Sequence, residues 1–166
     1  ATCAVLLAGC SQPSYSQVSA GGEEFSAIAL PALPEKLDFA GEEVPLEYFD
    51  VREALQRELL VTSYMHSGTF RTLLNMKRYF SVIEPILERN GIPDDFKYLC
   101  MAESALNPET VSPAGAAGLW QFMPKTGREY GLAVGSQVDE RYDIEKSTEA
   151  ACAYLRDAYE RFGSWT

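Results

Sequence analysis

From Leu46 to the end of the chain, apolar residues recur at spacings of three and four, and no alternating stretch long enough for a strand is sustained. That period gathers side chains on one face of a helix, so the folding part reads as all-α. Leu46, Phe49, Val51, Ala54, Leu55, Leu59 and Leu60 mark a first helix. A second runs from Thr69 to about Arg89 and is interrupted by Pro85. Ser81 and Glu84 stand at capping-box spacing there, so the stretch is either two helices or one kinked helix. Asn90-Gly91 ends it. Asp94 and Asp95 after Pro93 favour another helix start, and Phe96, Leu99, Cys100 and Ala102 carry it to a stop at Asn107-Pro108. Residues 112–118 read as loop and 119–123 as a short apolar run, and Pro124 opens a further helical turn. Residues 147–162 form a last amphipathic helix capped by Ser147 or Thr148.

A length of 166 residues, 46% apolar and 23% charged, suffices for one core and excludes a disordered tail. Twenty-four acids against fourteen bases leave a net charge of -10, which repels nucleic acid and anionic headgroups. Nucleic-acid partners are therefore excluded. One histidine and four cysteines cannot build a His-rich zinc site, so chemistry without metal or cofactor is the expectation. His66, beside Ser67-Gly68, reads as a helix C-cap or an exposed side chain, since no nucleophile motif accompanies it. Cys100 and Cys152 lie on apolar helical faces, where either a disulfide or two buried thiols would fit.

At the N-terminus, Ala4 to Gly9 form an apolar stretch far shorter than the ~20 residues a membrane helix needs. Leu7-Ala8-Gly9-Cys10 resembles a bacterial lipobox, which implies a residual signal peptide over residues 1–10 and a lipid anchor at Cys10. Residues 11–45, rich in Ser, Gly, Pro and Glu, read as a flexible acidic linker, and residues 46–166 as the folded domain. Ser11 after Cys10 does not resemble the aspartate that retains lipoproteins in the inner membrane. The expected place is the periplasmic face of the outer membrane.

The chemistry points to Glu103, near the end of its helix, followed by Ser104-Ala105-Leu106-Asn107-Pro108 and then the run from Ser112-Pro113 to Gly118-Leu119-Trp120-Gln121-Phe122-Met123-Pro124. An acid at the C-terminal end of a helix, packed among Leu99, Leu106, Trp120 and Phe122, would have its charged form disfavoured, as a proton donor needs. Alone, an acid on a helix is most often a solvated surface residue. The segment is similar to the catalytic stretch of the lytic transglycosylases with a goose-type-lysozyme-like fold, most closely the membrane-bound lytic murein transglycosylase D group. Gly91-Ile92-Pro93, Gly127 to Leu132, Asp139-Glu140-Arg141-Tyr142-Asp143 and Lys146-Ser147-Thr148 to Tyr154-Leu155 extend the likeness over roughly residues 50–166.

The resemblance implies a lysozyme-like helical domain. It also implies non-hydrolytic cleavage of the β-1,4 bond between N-acetylmuramic acid and N-acetylglucosamine in peptidoglycan, leaving 1,6-anhydro ends. Glu103 matches the family's catalytic acid, and Ser112, Gln121 and Met123 match positions lining the groove. Ser112 equally suits a turn before Pro113, and Met123 and Trp120 suit a core. Asp139, Glu140 and Asp143 with Arg141 read as an ion-pair knot rather than catalysts. Family members carry a Tyr-Asn-containing segment beyond the Phe-Gly-x-Trp stretch. Here Phe162-Gly163-Ser164-Trp165 is followed only by Thr166, so the chain reads as a fragment lacking part of the groove. Two other readings are a lysozyme-type hydrolase using water and a non-catalytic peptidoglycan-binding module.

Overall fold

In the computed structural model residues 31–64 and 66–165 are described, the side chains of His66 and Ser67 excepted. The lipobox, Cys10 and much of the expected linker lie outside these residues. A two-stranded antiparallel hairpin, β1 (Asp38–Phe39) and β2 (Glu42–Glu43), leads into α1 (Phe49–Tyr64) and α2 (His66–Arg89). Then follow α3 (Phe96–Ser104), α4 (Pro124–Glu129), a 3₁₀ turn at Glu140–Tyr142 and α5 (Ile144–Phe162). The architecture is mainly helical, as the spacing predicts.

The core forms where the C-terminal half of α2 packs against α3 and α5. Ile83, Ile86 and Leu87 sit at i, i+3 and i+4 of α2 and are at most 1% exposed. They meet Cys100 of α3, Leu106 and Leu119 of the following loop, and Ala151, Cys152 and Leu155 of α5. Alanine and cysteine on α5 let the helices approach closely. The N-terminal part is looser: Leu55 is the buried residue of α1, and Phe70, Leu73 and Leu74 of α2 face solvent.

Pro85 lies inside α2, so the stretch is one helix, with no cap at Ser81. Proline removes the N–H that would bond the Ser81 carbonyl, but both residues are exposed, so the lost bond falls on the solvent side of the helix. The Ser81 hydroxyl instead donates to the Arg78 carbonyl at 3.0 Å. Two helix starts differ from expectation. His66 opens α2 rather than closing a helix, and α5 begins at Ile144 with Asp143 as its N-cap, whose carboxylate accepts the Lys146 N–H at 2.9 Å. Ser147 and Thr148 lie one turn inside, buried, and donate to the Ile144 carbonyl.

The stretch read as linker ends in folded structure. Ala40 and Gly41 take positive φ angles of 56° and 77°, which closes the hairpin, and the Ala40 N–H donates to the Asp95 carboxylate at 2.8 Å. Phe39 meets Phe96 edge-on with ring centroids 5.2 Å apart. Glu42 accepts the Ser164 hydroxyl and the Trp165 N–H, each at 2.8 Å, tying the hairpin to the end of the described chain. Strands of two residues are too short to carry a period, and their partners lie far along the chain, so composition alone hides them.

Ile83→Ala should cost about 2–5 kcal/mol of unfolding free energy, while Leu74→Ala should stay within about 0.5 kcal/mol. Denaturant titration of the two variants checks the contrast.

Candidate active site

Glu103 occupies the last turn of α3, which ends at Ala105 with the Ala105 N–H donating to the Met101 carbonyl at 2.8 Å. Ala105 and Leu106 both take left-handed backbone, φ 51° and 56°, a costly conformation for residues with a Cβ. The two together turn the chain sharply away from the helix axis, and Leu106, fully buried, holds the turn in the core. Asn75 of α2 donates to the Leu106 carbonyl at 3.2 Å from the other side. Glu103 is thereby left at a free helix end.

The chain then returns as a wall opposite α3. Ala117 bridges both Val111 and Phe122, and the Gly118 N–H donates to the Thr110 carbonyl at 3.0 Å. Gly118, at φ 81°, has no room for a side chain, since a Cβ there would sit 1.8 Å from the Arg141 carbonyl oxygen. Between this wall, α3 and α5 lies a cleft of about 280 Å³. Helix α3 contributes Leu99 and Glu103, the wall Trp120 to Met123, α4 Thr126, and α5 Ala151, Tyr154 and Leu155.

The cleft brings together Glu103, Gln121 and Met123, three of the four residues expected at the site. Ser112 is not among its lining residues. The Ser112 hydroxyl oxygen accepts the Ala116 N–H at 3.0 Å, which is the turn role weighed for it. Gln121 sits at φ 48° with its side-chain amide donating to the Thr110 and Gly118 carbonyls at 3.0 and 2.8 Å. Its Oε1 has no protein donor among the described residues. Met123 is 41% exposed and precedes Pro124 at the start of α4, so it is a surface of the cleft and not core. Trp120 is core-like, buried, with its indole N–H donating to Thr148 Oγ1 at 2.9 Å.

One expectation needs correction. Glu103 is exposed, not buried among apolar neighbours. Leu99, Trp120 and Phe122 do flank it across the cleft, but Leu106 turns into the core, and a side chain at a helix end has no following turn to cover it. Glu103 makes no hydrogen bond or ion pair among the described residues. Tyr154, 48% exposed, is a cleft residue that the helical period of α5 placed without assigning a role. Its ring is braced edge-on by Tyr130 at 5.5 Å, and the Tyr130 hydroxyl donates to Asp157 at 3.0 Å.

The other acids are engaged elsewhere. Asp139 forms a two-pronged pair with Arg141, with Nη2 to Oδ2 at 2.7 Å and Nε to Oδ1 at 3.0 Å. Glu140 pairs with Lys146 and accepts the Ala133 N–H at 2.7 Å, and Asp143 caps α5. A second, more open cavity of about 430 Å³ is lined by Tyr130 to Leu132, Glu140, Lys146, Glu149 and Ala150. Its charges are already matched, Glu140 to Lys146 and Glu149 to Arg89 and Asn90. The smaller cleft is the one that holds an acid, Glu103, without a partner among the described residues. No group of three or more His, Cys, Asp or Glu among the described residues is placed to hold a metal, and no described helix is long and apolar enough to cross a membrane.

Residues 81–166, just over half of the chain and including every residue of the cleft, match the description of the transglycosylase SLT domain. The chain belongs to that family. Its helical architecture is the lysozyme-like fold of the SLT domain. It is similar to membrane-bound lytic murein transglycosylase D of Escherichia coli K12, 34% identical over 131 residues that make up 76% of this chain and 28% of that protein. A putative tributyltin chloride resistance protein of Alteromonas sp. M-1 is 26% identical over 103 residues, 61% of this chain and 50% of the relative. Soluble lytic murein transglycosylase of Escherichia coli K12 is 35% identical over 66 residues, 37% of this chain and 10% of the relative. The chain thus spans less than a third of the first of these relatives.

Cys100 and Cys152 are buried free thiols, not a disulfide. Cys100 points at the Leu119 carbonyl, 3.6 Å away, and burial, helped by the Glu103 charge, pushes its thiol well up. Burial, with a lesser contribution from Glu149, raises Cys152 to about 11. Alkylation of the native protein at pH 8 should leave both unmodified, and both should react once guanidinium unfolds the chain; peptide mass mapping reads the difference. Hydrogen bonding to Arg141 holds Asp139 below the usual carboxylate range. A depressed carboxylate contributes stability that is complete above its unfolded value, near pH 4, and is lost as pH falls through its lower native value. Asp139→Asn should therefore cost on the order of 3 kcal/mol at neutral pH. The gap to wild type should close as unfolding is measured at progressively lower pH below about 4.

Proposed function

We propose that the chain carries the catalytic site of a peptidoglycan lytic transglycosylase, which cleaves the β-1,4 bond between N-acetylmuramic acid and N-acetylglucosamine without water. The observation that carries this reading is the single carboxyl in the cleft. Glycoside hydrolases of the common kinds need a second carboxylate about 5–5.5 Å away as nucleophile, or about 6.5–9.5 Å away as base for water. Glu103 has no such companion among the cleft-lining residues, and Asp139, Glu140 and Asp143, the candidates in sequence, are spent on Arg141, Lys146 and a helix N-terminus.

One acid suffices when the attacking group belongs to the substrate. Glu103 in its acid form gives its proton to the glycosidic oxygen as the C1–O bond breaks, and the N-acetylglucosamine end departs with a hydroxyl. The carboxylate then takes the proton of the muramoyl C6 hydroxyl while O6 bonds to C1, closing the 1,6-anhydro ring and restoring the acid. No water is consumed. Because Glu103 is open in the free cleft, the glycan itself supplies the shelter, covering the carboxyl as it binds. Gln121 Oε1 accepts from a sugar hydroxyl or acetamido N–H, Met123 packs on the sugar, and Ser112 acts one step back by fixing its turn.

The names of the relatives support murein as partner and the cell envelope as location. The lipobox-like residues 7–10 support a lipid anchor at Cys10, and Ser11 in place of a retaining aspartate supports the periplasmic face of the outer membrane. The hydrolase reading has nothing comparable in the cleft to support it.

Digestion of purified murein followed by mass spectrometry should give anhydro-ended muropeptides, each 18 Da lighter than its hydrated counterpart because water is withheld. Glu103→Gln should lower turnover by roughly 100-fold or more. Reducing-end products would replace the mechanism with hydrolysis, and undiminished turnover in the variant would remove Glu103 as the acid.

A further inference from the structure

Arg141 lies outside the cleft, yet both ends of the residue bear on the wall that carries Gln121 and Met123. Its guanidinium is buried, and one nitrogen, Nη1, donates to the Gly115 carbonyl at 2.8 Å and to the Phe122 carbonyl at 2.9 Å. These two carbonyls flank the wall on either side of Gly118, so a single planar group fixes the separation of its two arms. The opposite edge, Nε and Nη2, is held by the Asp139 carboxylate, which also accepts the Arg141 backbone N–H at 3.1 Å. The Arg141 backbone carbonyl presses on Gly118 where any side chain would collide, and its aliphatic stem lies 3.4 Å from where a Cβ on Gly127 of α4 would be. Wall and α4 are thus clasped from behind by one residue.

We propose that Arg141, oriented by Asp139, is a positioning residue that sets the Gln121–Met123 wall at its working distance from Glu103. This rests on the transglycosylase reading above. The wall needs such a clasp because Gln121 holds a left-handed backbone conformation unfavourable to a side chain, and such a conformation persists only where its surroundings over-determine it. A lysine cannot substitute. Its ammonium is one point donor, whereas four of the five guanidinium N–H groups here engage partners in three directions within one plane. The charge is matched by Asp139, so Arg141 acts through geometry and not by lending positive charge to the cleft.

The test compares Arg141→Lys with Leu55→Ala, a buried α1 variant outside both the central core cluster and the cleft lining, at a temperature where both are folded by circular dichroism. For Arg141→Lys, kcat/KM on murein should fall at least tenfold, and the Trp120 indole N–H and Gln121 amide resonances should move in the NMR spectrum. Leu55→Ala, although destabilised, should keep turnover and both resonances near wild type. Asp139→Asn should move the same two resonances in the same direction, which keeps the test open if Arg141→Lys does not fold. Unmoved resonances in the folded Arg141 or Asp139 variants, or a loss of turnover no greater than that of Leu55→Ala, would overturn the proposal. If wild type itself leaves murein intact, the transglycosylase reading fails, while the resonance shifts still decide whether Arg141 places the wall.

Discussion

The structure depends on the burial of one helical half. Ile83, Ile86 and Leu87 occupy consecutive turns of α2 and are sealed by α3, α5 and the loop between α3 and α4. Each of those partners carries part of the cleft, so the apolar contact that stabilises the fold also sets the distance between its walls. The N-terminal half of the same helix leaves Phe70, Leu73 and Leu74 in water and takes little part in holding the site.

Around that core, polar contacts supply direction where apolar packing supplies only cohesion. Left-handed backbone at Ala105 and Leu106 breaks α3 just past Glu103, and a third left-handed residue, Gln121, shapes the opposing wall. Conformations of this kind cost of order 1–3 kcal/mol each and are held by what packs around them. Here the restraints are Asn75 on the Leu106 carbonyl, Trp120 on Thr148, and the Gln121 side chain on two loop carbonyls. Strain gathers on either side of the one acid that lines the cleft and is rare elsewhere: among the described non-glycine residues, only Ala40 of the hairpin also has positive φ. A rigid cleft with an open carboxyl suits a substrate that brings its own nucleophile and its own cover.

Much of this was legible in residue order. The period of three and four located the helices, Pro124 and Asn90-Gly91 marked boundaries, and the segment from Glu103 to Met123 pointed to a site through its likeness to a known family. Reading failed where the answer lay in long-range contact. The hairpin at 38–43 was invisible because its order comes from Asp95 and Trp165, distant in sequence. The caps on α5 were misplaced because Ser147 and Thr148 look like N-caps until Asp143, four residues earlier, is seen to accept the Lys146 N–H. Burial of Glu103 was overestimated because apolar neighbours in sequence do not say whether a helix continues far enough to cover a side chain.

By itself, then, the sequence determined that this chain is helical, that Glu103 stands in the segment that resembles a known catalytic stretch, and that Asp139 to Asp143 form a knot, since periodicity, motif spacing and charge alternation are local properties. Only the tertiary structure decided that Glu103 stands open, that Gln121 and Met123 face it while Ser112 does not, that the two thiols stay apart, and that Arg141 reaches the wall from behind. Those are relations between segments brought together by the core, and no local rule encodes where two distant backbones meet.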